Sequence, residues 1–116
     1  GVGMSAYQLS TAEVRGLNKA QRTVFPFAIT GYLLAPVLLG SVAVGRIYGH
    51  IKADPVTGRF TDGHLMHTSS VGGFFEHEGF VVLVTRNSLY VCVVPRAAVK
   101  FWLVGQLQAL PKPTFH

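Results

Sequence analysis

Phe80-Val81-Val82-Leu83-Val84-Thr85, then Arg86-Asn87-Ser88, then Leu89-Tyr90-Val91-Cys92-Val93-Val94 is the stretch that decides the fold. The first and last runs are rich in β-branched and aromatic residues and apolar on both faces, the pattern of strands buried inside a sheet. The three residues between them have turn chemistry, so 80–94 predicts a β-hairpin. Pro95 follows at what reads as the first helical position, where its missing N–H costs nothing. Arg96–Leu107 then predicts an amphipathic helix. Ala98, Phe101, Trp102 and Gly105 form its apolar stripe, with Arg96, Lys100 and Gln106 mostly outside it.

Upstream of this hairpin the signals are shorter. Ser10-Thr11-Ala12-Glu13 fits a capping box, in which the hydroxyl caps an orphan amide and the carboxylate reaches back. A helix is expected over about 11–22, weakened by Gly16 by roughly 1 kcal/mol relative to Ala. Thr23 to Gly45 carries no charge. At about 20 apolar residues such a stretch could span a bilayer. Pro26, Gly31, Pro36 and Gly40 interrupt it, and both flanks are basic, so two buried strands are expected instead. They are placed near Phe25–Leu34 and Val37–Val44, joined around Ala35-Pro36, with the second continuing extended to Ile51. Gly40, Gly45 and Gly49 suggest a strongly coiled strand. Asp54-Pro55-Val56-Thr57-Gly58 and Asp62-Gly63 are turns by chemistry, with a short strand at Arg59–Thr61 between them. His64–Val71 reads as a strand, Gly72-Gly73 as the opening of a loop, and Glu76-His77-Glu78-Gly79 as a loop tip.

The order helix, about six short strands, helix is α+β: a small, strongly curved antiparallel sheet or barrel flanked by an N-terminal and a C-terminal helix. The chain has 116 residues, 49% hydrophobic and only 13% charged, which fits one core and excludes a disordered polymer. Residues 4–110 are expected to form that single domain. Gly1-Val2-Gly3 ahead of Met4 reads as an expression remnant, and 111–116 as a short tail. The single cysteine, Cys92, excludes an internal disulfide and a cysteine-built zinc site, so a reducing, cytoplasmic setting is expected.

Candidate chemistry is sparse. His64, His67 and His77 are the candidate metal ligands, with Asp62, Glu76 and Glu78 nearby, but no metal-binding signature joins them. His64 and His67, three apart, would fall on opposite faces of a strand. Thr68-Ser69-Ser70 lacks a nucleophile elbow and reads as a turn cluster. No cofactor loop is present: Gly72-Gly73 has no phosphate-loop context. A formal net charge of +5, from ten basic and five acidic residues, is the remaining electrostatic signal. Arg46, Lys52, Arg59 and Arg86 could neutralise phosphates while Tyr48 and Phe74 offer stacking surface, as on small nucleic-acid-binding barrels. Mean hydropathy of +0.38 leaves apolar side chains in excess of one small core. Phe74, Phe75 and Trp102 are the candidate interaction patch for a protein partner or a second copy.

Gly45-Arg46-Ile47-Tyr48-Gly49-His50, Thr61-Asp62-Gly63-His64-Leu65-Met66-His67-Thr68-Ser69-Ser70-Val71 and Val84-Thr85-Arg86-Asn87-Ser88-Leu89-Tyr90 together resemble a pattern in small bacterial proteins of no assigned activity, often from mobile or prophage-like regions. The resemblance covers about the central 45 residues, and Met66 stands where a branched aliphatic residue is usual. It implies a hairpin-rich module in which Asp62-Gly63 and Thr68-Ser69 serve turn geometry or one binding edge, and it assigns no site residue. The leading expectation is therefore a non-enzymatic module acting through protein–protein contact, in the manner of a mobile-element accessory protein, and forming a homodimer. A nucleic-acid-binding small barrel is the alternative, and a histidine- or metal-dependent hydrolase the third reading.

Overall fold

Eight elements follow one another in the structure, a computed structural model that describes residues 8–111: α1 (Thr11–Arg22), β1 (Gly31–Leu39), β2 (Val42–Tyr48), β3 (Leu65–His67), β4 (Val71–His77), β5 (Phe80–Thr85), β6 (Leu89–Val93) and α2 (Ala97–Gln108). The expected remnant 1–3 and nearly all of the expected tail lie outside the described residues. The α+β class, the six strands and the two flanking helices are as the sequence implies.

α1 starts where its capping box places it. The Ser10 hydroxyl accepts from Glu13 N, and the Glu13 carboxylate accepts from Ser10 N at 2.8 Å. The β5–β6 hairpin forms as expected and pairs Val81 with Cys92 through Val84 with Leu89; Thr85 N donates to Ser88 O at 3.0 Å, so the turn is Arg86-Asn87, one residue shorter than the expected 86–88. β4 and β5 are joined by Glu78-Gly79, both with positive φ (51° and 81°), the backbone of a two-residue type I′ turn.

The sheet order is β3-β2-β1-β6-β5-β4. All pairs are antiparallel except β1 and β6, which run parallel with Gly31 opposite Tyr90. The sheet is therefore mixed, and it is open. It is nevertheless rolled, because its two edge strands are consecutive in the chain. Six flat strands would put β3 and β4 about 24 Å apart at ~4.8 Å per strand. The four Cα steps from His67 to Val71 span at most about 14 Å. Curvature resolves the mismatch. Thr68 N and Val71 N donate to Ala43 O and Ser41 O of the β1–β2 hairpin, at 2.8 and 2.7 Å, as the chain crosses from one edge to the other.

The two faces of the rolled sheet form two cores. Leu33, Ala43, Ile47, Val81, Leu83, Tyr90 and Cys92 bring strands from both sides of the sheet order together on the inner face, and α2 adds Leu103 and Leu107. The outer face packs Leu34, Val82, Val91 and Val93 beneath Leu17 and Ala20 of α1.

Several local expectations are corrected. Ala35-Pro36 does not join two strands; it is a β-bulge within β1, since Leu34 pairs with Arg46 and Val37 with Val44. A bulge needs no ladder donor from Pro36, and Ala35 takes the left-handed backbone (φ 44°). Gly45 lies opposite: a Cβ there would stand 3.1 Å from Leu34 O and 3.2 Å from Pro36 Cα. The hairpin turn falls at Gly40-Ser41 instead. Residues 25–30 form no strand; Thr30 N is tied to Leu89 O and its hydroxyl accepts from Leu89 N. Arg59–Thr61 is part of a long turn-rich loop, not a strand. The expected 64–71 strand is split by Thr68–Ser70, and Gly72-Gly73 lies within β4. Arg96, not a residue before Pro95, is the N-cap of α2, so Pro95 precedes the helix.

Candidate functional site

The predicted metal ligands are placed apart. His67 Nδ1 lies 3.3 Å from Thr68 O, and His77 Nε2 lies 2.9 Å from Val24 O while its ring packs 5.2 Å from Phe25. Among the described residues no three His, Cys, Asp or Glu side chains gather in a way that could hold a metal ion. The hydroxyl cluster serves the seam between the sheet edges. Thr68 Oγ1 is buried, accepts from Ala43 N at 3.0 Å and donates to Ser69 O at 2.7 Å. Ser41 and Ser70 hydroxyls meet at 3.1 Å.

The carboxylates are likewise engaged in building the fold. Asp62 Oδ1 accepts from Gly49 N at 2.8 Å, closing the loop 49–64 at its base. Asp54 accepts from Val56 N, and these backbone and Thr57 hydrogen bonds hold its carboxyl below the ordinary value. Glu76 pairs with Lys100 at 3.3 Å, and Lys100 Nζ also donates to Gly79 O, fastening α2 to the β4–β5 turn. Burial drives the Cys92 thiol far above its usual range, which makes it an inert core residue.

The six residues considered for nucleic acid sit on β2, β4 and three loop positions. Arg46 donates to Gly63 O at 2.8 Å from the middle of β2. Tyr48 packs on the outer-face core and Phe74 on the inner one. Lys52, Arg59 and Arg86 are exposed in loops, with Lys52 and Arg59 both acting electrostatically on His50. A groove of about 450 Å³ runs between Ile29, Thr30, Ile51, Val84 and Arg86 at the end of the sheet where β1 and β6 begin.

The three residues of the expected interaction patch also separate. Phe74 and Phe75 point to opposite faces of β4, as strand neighbours must. Phe75 meets Phe27 edge-on at 5.7 Å. Trp102 lies on α2, and here the structure reverses an expectation. The stripe Ala98, Phe101, Trp102 and Gly105 does not face the core; Leu103 and Leu107 do. Phe101 is 83% exposed and Trp102 48%. The sequence pattern does not decide between the two sides, because apolar residues stand on both, interrupted by Lys100, Gln106 and Gln108. A Cβ at Gly105 would meet nothing within 4 Å, so this side of the helix is bare. Apolar side chains also emerge at Val37, Leu39 and Leu65, on the part of the outer sheet face that α1 leaves uncovered.

His50, considered from the sequence only as one of the central histidines and not among the candidate ligands, is the most connected histidine among the described residues. It is buried where β2 ends, stacks on Phe60 at 4.0 Å with planes 8° apart, and touches Tyr90. Only its position after Gly49 marked it, and that says nothing of a ring partner ten residues on.

No family model, curated protein or solved structure matches the chain. No helix among the described residues is long and apolar enough to cross a membrane.

Proposed function

We propose that this protein is a binding module that works through protein–protein contact, and that its contact face is the outer side of α2, met by the same face of a second copy. The observation that carries this reading is the helix itself. Nine of the twelve residues of α2 are apolar or glycine, a composition suited to an interior, yet only Leu103 and Leu107 are buried. The opposite side is suited to its own copy: Phe101 and Trp102 project between the small residues Ala98 and Gly105, an arrangement that two antiparallel helices related by a twofold axis can interlock.

Size sets the strength. Aromatic side chains bury about 150–250 Å² each. At their exposures Phe101 and Trp102 offer roughly 250–300 Å² per copy. With the flanking small residues the total for two copies comes to about 900 Å², at the low end of specific interfaces. The dimer is therefore reversible, forming as concentration rises. The engagement of Asp54, Asp62, Glu76 and Thr68 in turns, pairs and seams supports a module that acts by contact rather than by catalysis.

The test uses the single tryptophan. Emission of the full chain is followed over a dilution series. A blue shift and reduced acrylamide quenching at high concentration, abolished by Phe101→Asp and kept by Leu39→Asp, supports the α2 contact. Emission independent of concentration rejects it. Salt-steepened binding to short DNA or RNA by an unchanged monomer would favour the nucleic-acid alternative.

A further inference from the structure

The loop 51–62 is closed at its base by Ala53 N on His50 O at 3.1 Å and by Asp62 Oδ1 on Gly49 N, and its side-chain ties to the end of the sheet gather on the His50 ring. Ile51 N donates to Thr30 O at 2.9 Å. Lys52 N donates to His50 Nδ1 at 3.0 Å. The Phe60 ring lies flat on His50, and Phe60 holds a left-handed backbone (φ 57°) to reach it. His50 Nε2 stands 3.5 Å from Tyr90 Oη on β6.

This geometry fixes the protonation state. Nδ1 can accept from Lys52 N only when it carries no proton, so the ring is neutral with its hydrogen on Nε2, directed at Tyr90. We infer that His50 is a proton-operated latch: neutral, it pins the 51–62 loop and closes one wall of the adjacent groove; protonated, it releases both. A proton added at Nδ1 faces the Lys52 N–H, so a bond becomes a contact between two donors. The charges that act on the ring are the cations Lys52 and Arg59, β6 presents the Tyr90 phenol, and the loop's Asp54 carboxylate is engaged with Val56 N and Thr57. Asp62 is engaged with Gly49 N. Burial and the two cations already hold the ring below the usual histidine range. Release moves Ile51, which walls the groove lined by Ile29, Thr30, Val84 and Arg86, so acidification opens that groove. The latch is independent of the α2 face, which lies on another element.

The experiment is amide hydrogen exchange on the full chain between pH 7.5 and 5, corrected for intrinsic rates, beside an NMR titration of the His50 ring. Opening of one loop coupled to one proton makes the opening constant rise about tenfold per pH unit below the free histidine value, until the folded pKa is reached. The expected result is that rise for amides within 51–62, with β5, β6 and α1 still protected. His50→Phe keeps a stacking ring but neither accepts nor titrates; its loop should exchange faster at pH 7.5 and lose the pH dependence. A wild-type loop whose corrected exchange is flat through the His50 titration overturns the latch. So does loss of protection in β5, β6 and α1 at the same pH as the loop, which would make His50 part of the global core. These readings come from the wild type and stand even if the variant does not fold.

Discussion

Thr68→Val is the sharpest probe of how the sheet is rolled. Thr68 is 1% exposed, and its hydroxyl is the only side-chain group in the three-residue link that reaches the β2 backbone. Valine keeps the volume and branching but loses two hydrogen bonds, one accepted from Ala43 N and one donated to Ser69 O. A bond is worth about 1 kcal/mol net, and a buried donor left without an acceptor costs about 1–3 kcal/mol. Since Ala43 is fully buried, water cannot replace the lost acceptor, and the expected loss is about 2–3 kcal/mol. For a chain of this size that is a fall in Tm on the order of 10 °C. Thr68→Ser keeps the hydroxyl and gives up one methyl group, about 1 kcal/mol. Urea unfolding of the three proteins side by side measures the difference. Valine as stable as serine at this position would refute the seam.

Other expectations follow from single contacts. Gly45→Ala should cost about 1–3 kcal/mol in urea unfolding, the usual penalty of overpacking, because the added methyl meets the Leu34 carbonyl and the Pro36 ring of the bulge, neither of which can swing aside. Global stability should fall with acid through His50. Its folded pKa lies below its unfolded value, so the unfolded state binds the extra proton; stability is full above about pH 6.5 and is lost toward the folded pKa, at no more than about 1.4 kcal/mol per pH unit. Denaturant midpoints at several pH values, with His50→Phe as reference, isolate this share. Cys92 should resist thiol reagents in the native protein and react at the rate of unfolding, since the thiol is buried and its pKa raised. Labelling that outpaces unfolding would contradict the core placement.

Legibility in the sequence tracked how local the governing interaction is. α1 was readable because Ser10 and Glu13 complete their box within four residues. The β5–β6 hairpin was readable because its turn and both apolar runs adjoin. The parallel pairing of β1 with β6 was not, since no local pattern records which distant strand lies alongside. Ala35-Pro36 misled because proline reads as a break; only the pairing of Leu34 and Val37 with β2 reveals a bulge. Splitting 64–71 into β3 and β4 likewise depends on the chain crossing between opposite sheet edges. On the functional side, excess apolar surface was legible from composition, and Trp102 was correctly placed on α2. Which stripe of that helix turns outward was not, because both stripes are apolar and only the rolled sheet decides between them. The His50–Phe60 stack bridges ten residues of turns, where periodicity carries no information.

The central claim, that the outer side of α2 is a contact face, is tested most directly by sedimentation equilibrium of the full chain across a wide concentration range. The account predicts a mass rising reversibly from 12.5 kDa toward twice that value, and a Phe101→Asp variant that stays monomeric with its fold intact. A monomer at every concentration, or a dimer that survives Phe101→Asp, would contradict it.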